Sequence, residues 1–470
     1  MYLAANLGAR LDSTIIRMTR PADRENSVMH LPTPTVLYAA GSNGKGQLAS
    51  GDSQDAHTFS PCKFAGREGS VSLPPGVSPA VIISIVGGGN HTLALLSPAP
   101  VNHSAPSIHT HTWGCGQGTK GQLGPAYVGL DESPILRPLI LPLEEQGLIG
   151  YAVSRVAACW ETSFFVLAKD GQHDLLISMG GDDFGDLGIG GLRTKRSNKV
   201  PFHIVNFSYI VGSTAKQVSI TDITAGPHHV IVLLRADNKQ HIAGWGTTRH
   251  GQLGPLLAPS GRALPFSPSP VAITDLPIDV QLDPVLSVRA GNQHSVFLHA
   301  SGRVSALGSD AKGQLRGLAM ARDVRAIDCS WNGTYLRTTL PVGGLLLSAG
   351  ANARGQLGRR ANDNDVSGSE APLGAVRFGD EDAHVLDFAC GSEHALAVVE
   401  PARGKREVWG WGWNEHGNLG TGLLDDVSVP IKVWPPARLE FEGIIGDVVG
   451  VWAGCGTSWI AVSSCDPPWA

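Results

Sequence analysis

Short apolar runs, broken at close intervals by turn-forming residues, make up much of this chain. Residues 81–86, 229–234 and 458–462 alternate apolar with polar side chains or stay apolar, and Gly, Pro or Asp lies near their ends. That pattern is typical of β-strands bounded by turns. No long stretch repeats its apolar residues with the period of about 3.6 residues that marks an amphipathic helix. The pattern therefore predicts an all-β chain.

A glycine-rich polar segment recurs seven times. Each copy contains a glycine followed by Gln, Asp or Asn and then Leu, and that glycine is residue 46, 121, 185, 251, 313, 355 or 417. Glycine permits positive φ and close backbone approach, so each copy is predicted to form a tight turn. Because repeated positions mostly keep a unit folded, we expect the Leu to be buried between units and the Gln or Asn to bond the turn backbone.

A second segment alternates strictly with the first. It has a small residue, two variable residues and then His or Thr between two apolar runs, at residues 89–92, 159–163, 226–229, 291–295, 330–334, 391–395 and 454–459. Histidines 91, 229, 294 and 394 hold equivalent positions, which lie one unit apart around a ring and do not converge on one metal ion. Two interpretations stand: each imidazole holds its turn by a hydrogen bond, or some contact a partner.

Seven all-β units of about 60 residues predict radial closure as a seven-bladed β-propeller with four-stranded blades. The fifth unit is shortened, since only 20 residues separate Gly313 from Gly333, and it is predicted to be irregular. Residues 35–40 are expected to pair with the strand at 459–462, which closes the ring and removes free edges. The predicted organisation is a disordered extension at 1–34, one propeller at 35–464 and a tail at 465–470.

Composition narrows the classes of function. The 470 residues carry a net charge of -5 without a long Lys/Arg run, which argues against a basic nucleic-acid footprint or a polybasic membrane anchor. The apolar runs are far shorter than the roughly 20 residues of a membrane helix. Seven cysteines without a CxxC pair predict free thiols in a reducing compartment and no zinc site. The glycine-rich turns lack the Lys-Ser/Thr and the helix of a phosphate-binding loop, so we expect no nucleotide or other cofactor.

Three tryptophans depart from the repeat. Trp160, Trp331 and Trp459 lie in or directly after the tight turns, where most copies have small residues. Such a side chain either plugs the central channel or anchors a partner, since Trp is enriched at binding hot spots. For Trp331 the two interpretations balance, and for Trp160 and Trp459 the plug is favoured. The predicted partner-binding set joins these to their neighbours in the turns: Asn90, His91, Glu161, Ser392, Glu393 and His394.

The residue before each Gly-Gln-Leu is basic or a histidine in six of the seven copies. The positions are Lys45, Lys120, Phe184, His250, Lys312, Arg354 and His416. In one interpretation each aliphatic stem packs on its turn while the charge stays in water. In the other, the ring of charges is a platform that steers an acidic partner.

The alternation of Gly-x-x-x-x-Gly-Gln-Leu-Gly with Gly-x-x-His-Ser/Thr resembles the regulator of chromosome condensation repeat, and this likeness also implies a seven-bladed propeller. Residues 409–419, 390–394, 159–162 and 454–462, with the short fifth unit, are similar to the fungal alpha-tubulin suppressor group, also called killer-toxin-insensitivity protein thirteen.

The resemblance implies a non-enzymatic interaction protein of cytoplasm and nucleus. Its partner would be the small CSL-type zinc-ribbon protein of diphthamide biosynthesis, bound as a heterodimer. Together they would support diphthamide formation on elongation factor two and wobble-uridine modification of tRNA by Elongator. The partner would hold the metal. The alternative is a guanine nucleotide exchange factor for a Ran-like small GTPase.

Overall fold

The computed structural model describes the propeller in nine stretches. They are residues 35–66, 81–97, 111–191, 201–339, 344–359, 370–379, 384–401, 404–436 and 446–463. The extension predicted at 1–34, the tail predicted at 465–470 and Cys465 lie outside these stretches. Within them, no helix is long and apolar enough to cross a membrane.

The described residues form 27 β-strands and a few short helical turns. In chain order the strands are β1 (Thr35–Gly41), β2 (Ala56–Pro61), β3 (Val81–Gly87), β4 (His91–Ser97), β5 (His111–Gly116), β6 (Arg137–Pro138), β7 (Ala152–Ala158), β8 (Thr162–Ala168), β9 (Leu175–Gly180), β10 (His203–Ile204), β11 (Val218–Ala225), β12 (His229–Ala236), β13 (Lys239–Thr247), β14 (Phe266–Ala272), β15 (Val285–Ala290), β16 (His294–His299), β17 (Val304–Gly308), β18 (Val324–Ser330), β19 (Gly333–Thr338), β20 (Leu346–Ala351), β21 (Glu370–Ala375), β22 (His384–Cys390), β23 (His394–Glu400), β24 (Glu407–Gly412), β25 (Val427–Trp434), β26 (Val448–Ala453) and β27 (Thr457–Ser463). The helical segments are α1 (Ser208–Val211) and the 3-10 turns Pro125–Tyr127, Glu144–Gln146 and Leu318–Met320.

These strands form seven antiparallel sheets, the blades. Blade 1 has the order β26-β27-β1-β2, and blades 2 to 7 are β3–β6, β7–β10, β11–β14, β15–β17, β18–β21 and β22–β25. The first strand of every blade contacts the first strand of the next, and β26 contacts β3, so the ring is closed. The predicted seven-bladed propeller is confirmed.

The two ends of the propeller share blade 1. Strand β1 pairs antiparallel with β27, with Thr35 opposite Ser463 and Gly41 opposite Thr457. This confirms the predicted closure. Since a strand from one end is hydrogen-bonded between strands from both ends, the ring has no open seam.

Blade 5 is the irregular unit that the short spacing predicted. It has three strands, and residues 309–323, all of them described, contain the single 3-10 turn Leu318–Met320 where other blades have a fourth strand. The side chain of Leu318 is buried in one apolar cluster with Val304 of β17. The turn therefore covers part of the sheet that a fourth strand covers elsewhere.

In every blade the third strand ends on a glycine or one residue after it, and the backbone geometry requires glycine at that position. Gly41, Gly116 and their equivalents have positive φ, and the next residue donates its N–H to a carbonyl of the turn between the first two strands. The bonds are Ser42 to Gly456, Gln117 to Asn90, Gly181 to Glu161, Thr247 to His228, Ser309 to Gln293, Ala351 to Asn332 and Trp413 to Glu393, at 2.7 to 2.9 Å. A Cβ on Gly116 would lie 2.4 Å from the Asn90 oxygen, so no other residue fits there.

The Gly-Gln-Leu copies behave largely as predicted. The Gln47 Oε1 atom accepts the N–H of Lys45 at 2.9 Å, and Gln122, Asp186, Gln252, Gln314 and Gln356 accept in the same way. Asn418 instead donates to the carbonyl of Trp413. The Leu is buried in every copy except Leu315 of blade 5, which is only partly buried. The missing fourth strand explains that exception.

Candidate functional site

Both repeated segments meet at one end of the blades, which we call the turn face. It consists of the turns between first and second strands (88–90, 159–161, 226–228, 291–293, 331–332, 391–393 and 454–456) and the loops that follow the third strands. The hydrogen bonds from each loop to its turn hold the two together. A partner that approaches this face therefore meets both repeated segments at once.

Backbone hydrogen bonds join neighbouring turns in two arcs around the mouth of the central channel. In the first arc, Gly89 N donates to Trp160 O at 2.8 Å, and Trp160 N donates to Pro227 O at 2.9 Å. In the second arc, Asn292 N donates to Trp331 O at 2.9 Å, Trp331 N donates to Ser392 O, and Ser392 N donates to Gly454 O. The first arc ends at Pro227, which has no N–H to donate. The two arcs place Trp160 and Trp331 on the rim of the channel.

The indoles of Trp160 and Trp331 touch each other. Their ring centroids are 6.0 Å apart and their planes meet at 44°. The two residues belong to blades 3 and 6, which are not neighbours, so the contact crosses the mouth of the channel. The Trp160 side chain is seated over Gly89, where a Cβ would lie 2.8 Å from the indole. Trp160 remains 37% exposed and Trp331 is half-buried, so the pair both covers the channel and offers aromatic surface.

The four repeated histidines join neighbouring blades in the interior. His91, His229, His294 and His394 are at most 1% exposed. Their Nε2 atoms lie 3.0 to 3.1 Å from a hydroxyl oxygen of the next blade, in Ser163, Ser295, Thr334 and Ser458 respectively. The Ser295 hydroxyl donates a hydrogen bond to the carbonyl of Gln252, so its oxygen accepts a hydrogen bond from the Nε2–H of His229. Each histidine is therefore an interblade contact.

Burial keeps these imidazoles neutral. It lowers the pKa of His91, His294 and His394 to about 4 and that of His229 to about 3. The glycine three residues earlier makes room for the ring: a Cβ on Gly88 or Gly391 would lie 2.2 Å from it. The Gly-x-x-His spacing thus has a steric origin.

The structure divides the predicted partner-binding set. His91, His394, Ser392 and Trp459 are buried, and Trp459 packs inside the apolar cluster between blades 1 and 2. These four side chains lack a surface on which to meet a partner, so we correct their role to packing within the propeller. The Trp331, Trp160, Glu161, Asn90 and Glu393 side chains all reach the turn face.

The basic residues before Gly-Gln-Leu mostly pair with carboxylates of the next blade. Lys45 Nζ lies 2.5 Å from Asp131, Lys120 Nζ 3.7 Å from Glu161, Arg354 Nη1 3.2 Å from Asp426 and His416 Nδ1 2.7 Å from Asp55. Phe184 instead packs against the ring of His228, with centroids 4.6 Å apart and ring planes inclined by 59°. Lys312 and His250 have no ion pair within the described stretches. The interblade pairs compensate most of the charge on which an acidic-partner platform would depend.

Trp413 is a surface residue that the sequence reasoning missed. It occupies the position directly after a third-strand glycine, where other copies have Ser42, Gln117 or Thr247. Its Nε1 donates to Glu415 at 2.9 Å and its ring packs near Gly456. The signal was available, because an aromatic residue replaces small or polar ones at an equivalent position.

Charged groups inside the channel bind the blades to one another. Arg289 of blade 5 lies 3.3 Å from Asp222 of blade 4 and 3.9 Å from Asp328 of blade 6. Asp328 also accepts the N–H of Cys390 in blade 7 at 2.8 Å. These carboxylates are occupied by contacts that hold the ring together.

Among the described residues, no group of three His, Cys, Asp or Glu side chains is arranged to hold a metal ion. The six described cysteines are free, and five of them are buried. Burial raises the pKa of Cys115 to about 12 and that of the half-buried Cys455 to about 11. Since the thiolate is the nucleophile, these thiols are poorly suited to covalent chemistry at neutral pH.

The fold is a seven-bladed β-propeller of the regulator of chromosome condensation type with a three-stranded fifth blade. Residues 407–459 match the family described as the Regulator of chromosome condensation (RCC1) repeat.

The whole propeller is also similar to known proteins. It is 26% identical over 450 residues to the secretion-regulating guanine nucleotide exchange factor of Bos taurus. The alignment covers 91% of this chain and 82% of that protein. It is 25% identical to the RCC1 repeat-containing protein C10F6.04 of Schizosaccharomyces pombe, over 91% of this chain and 99% of that protein. The structure of Prp20p from Saccharomyces cerevisiae superposes with a TM-score of 0.63 at 17% identity, over 92% of each chain, and supports the fold alone.

Proposed function

We propose that this chain is a non-enzymatic binding protein that holds a partner protein on its turn face, with Trp160 and Trp331 as the anchor. The observation that carries the proposal is the exposed surface of this indole pair at the channel mouth. Large aromatic side chains dominate the binding energy of many interfaces. Exposed clusters of apolar side chains on a protein surface often mark sites where a partner binds.

The first candidate partner is the small CSL-type zinc-ribbon protein of diphthamide biosynthesis. Its support is the motif resemblance of the turns around 160, 331 and 454–462. In this role the propeller covers part of the partner's surface, changes solvent access to its zinc site and thereby tunes its chemistry. Diphthamide formation and Elongator-dependent tRNA modification in cytoplasm and nucleus would then depend on the heterodimer.

The second candidate is guanine nucleotide exchange on a Ran-like small GTPase. The observation in its favour is the name of the Bos taurus relative, which matches over most of both chains. An exchange factor binds the nucleotide-free GTPase and accelerates nucleotide release without forming a covalent bond.

Affinity purification of the full chain from its own cells, read by mass spectrometry, separates the candidates. Recovery of a zinc-ribbon protein supports the first and a small GTPase the second. Release of a fluorescent guanine nucleotide from the recovered GTPase then tests exchange directly. Trp160→Ala and Trp331→Ala are expected to lose the partner while Leu282→Ala, an exposed control that precedes β15 outside the turn face, retains it. Equal recovery with all three variants would refute the proposed anchor.

A further inference from the structure

The centre of the turn face has a defined electrostatic character. Seven turns contribute two central positions each, and these fourteen residues include two glutamates, one histidine and no Lys or Arg. They are Gly89, Trp160, Pro227, Asn292, Trp331, Ser392 and Cys455 at the inner position, and Asn90, Glu161, His228, Gln293, Asn332, Glu393 and Gly456 at the outer one. His228 faces a carboxylate of its own, Asp186, with Nδ1 3.6 Å from Oδ1. The fourteen central positions therefore carry two indoles and two carboxylates, and His228 is their one basic side chain.

The two glutamates stand next to the two indoles. Glu161 follows Trp160 in the same turn, and Trp331 N donates to the carbonyl of Ser392, the residue before Glu393. Lys120 lies 3.7 Å from Glu161, with both side chains partly exposed, which makes a loose pair. Glu393 accepts a long 3.4 Å hydrogen bond from Gln356; burial raises the pKa of its carboxyl, and the nearby positive charge of Arg354 lowers it. Each carboxylate therefore has a basic neighbour that is not in close contact with it.

Resting on the proposed function, we infer that the partner side chain seated at the Trp160–Trp331 pair is a cation, an Arg or Lys within an extended or loop segment. The face of an indole attracts a cation within about 6 Å of its centroid. Glu161 follows Trp160 in its turn, Glu393 follows the residue whose carbonyl accepts the Trp331 N–H, and the two carboxylates supply the opposite charge. Arg suits the site best, because its planar guanidinium stacks on an aromatic face and can also bond a carboxylate.

An acidic anchor is disfavoured by the same geometry. It would bring a carboxylate or phosphate towards Glu161 and Glu393, and the fourteen central turn residues include no Lys or Arg to neutralise it. Like charges placed across an interface lower affinity. A cationic anchor is therefore expected to bind at the indole pair, and an anionic anchor is expected to bind more weakly there.

The test uses a phage-displayed library of random twelve-residue peptides selected against the full chain. Selected peptides are expected to carry an Arg or Lys that, when changed to citrulline or norleucine in a synthetic copy, weakens binding about ten-fold, in line with a cation–π contact. Glu161→Gln combined with Glu393→Gln should cause a similar loss and reduce the salt dependence of binding. Glu145→Gln, an exposed carboxylate in the 3-10 turn between β6 and β7 and outside the turn face, is the control expected to leave affinity unchanged.

The outcomes separate this inference from the proposed function. Peptides that need Trp160 but carry acidic or uncharged anchors, or that bind the double glutamine variant equally well, would overturn the cation while leaving the anchor in place. Peptides that bind Trp160→Ala and Trp331→Ala as tightly as the natural chain, or a selection without binders, would overturn both. Quenching of tryptophan fluorescence by the Arg peptide but not by its citrulline copy would support the site directly.

Discussion

Trp160 and Trp331 are 171 positions apart in sequence and belong to blades that are not neighbours in the ring, yet their indole centroids are 6.0 Å apart. The ring geometry alone brings them together. The contact makes the two residues one feature, a lid of aromatic surface over the channel mouth.

The indole pair should show energetic coupling. Trp160→Ala and Trp331→Ala are each expected to lower the free energy of unfolding, and the double variant should lose about 1 kcal/mol less than the sum, because the first substitution already removes the shared contact. Urea unfolding of the four proteins measures this coupling. Trp413→Ala combined with Trp331→Ala serves as the control and should be additive. If the losses of the two single variants add up to the loss of the double variant, the contact between the indoles does not contribute to stability.

Two glycines with nearly equal φ separate backbone strain from steric overlap. Gly116 (φ +93°) would place a Cβ 2.4 Å from the Asn90 carbonyl oxygen, whereas Gly129 (φ +90°) has nothing within 4 Å. We expect Gly129→Ala to cost about 1 kcal/mol from conformation alone and Gly116→Ala about 3 kcal/mol or more, since a backbone atom must move as well. Thermal unfolding measures both. Equal losses would argue against the turn geometry described above.

The buried histidines predict loss of stability in mild acid. Below pH 6.5 the unfolded chain takes up protons on His91, His229, His294 and His394, whereas the folded chain does not do so until about pH 4, or about 3 for His229. The unfolded state therefore binds more protons, and stability falls as pH drops through this window by at most about 1.4 kcal/mol per pH unit for each histidine. Urea unfolding between pH 7.5 and 4.5 tests this. His394→Gln should flatten the slope by one histidine's share, and a slope that stays the same would contradict the assignment.

Removing a basic residue should strengthen binding of a cationic peptide. Lys120→Gln frees Glu161 from its 3.7 Å pair, so the Arg peptide selected above is expected to bind about three-fold faster at low salt. Lys312→Gln, which leaves Glu161 and its pair unchanged, should have a smaller effect. Surface plasmon resonance at two salt concentrations gives both on-rates. Slower association of the Lys120→Gln variant would favour a basic platform for an acidic partner instead.

Much of the fold could be predicted because every blade must satisfy the same local packing and backbone requirements. Gly116 and its six equivalents must accept positive φ beneath a turn carbonyl, and Leu48 and most of its equivalents must fill the gap between blades. Those needs depend on neighbours within one or two units, so they leave a regular trace in the sequence. The candidate site was predicted less well. The sequence left a structural and a partner-binding role open for His91, His394 and Trp459 and predicted a partner-binding role for Ser392. A repeat position does not show whether its side chain faces the surface of the turn or the interior behind it.

The number of blades, the closure through β1 and the irregularity of blade 5 follow from the chain alone, because a repeat period and a missing segment are visible without coordinates. Which side chains face outward, and which charges are already paired, depends on the folded ring. Trp160 meets Trp331, and Lys45, Lys120, Arg354 and His416 reach carboxylates of the next blade, through the curvature of the closed ring. That curvature arises from the packing of all seven sheets together, so no single repeat encodes it.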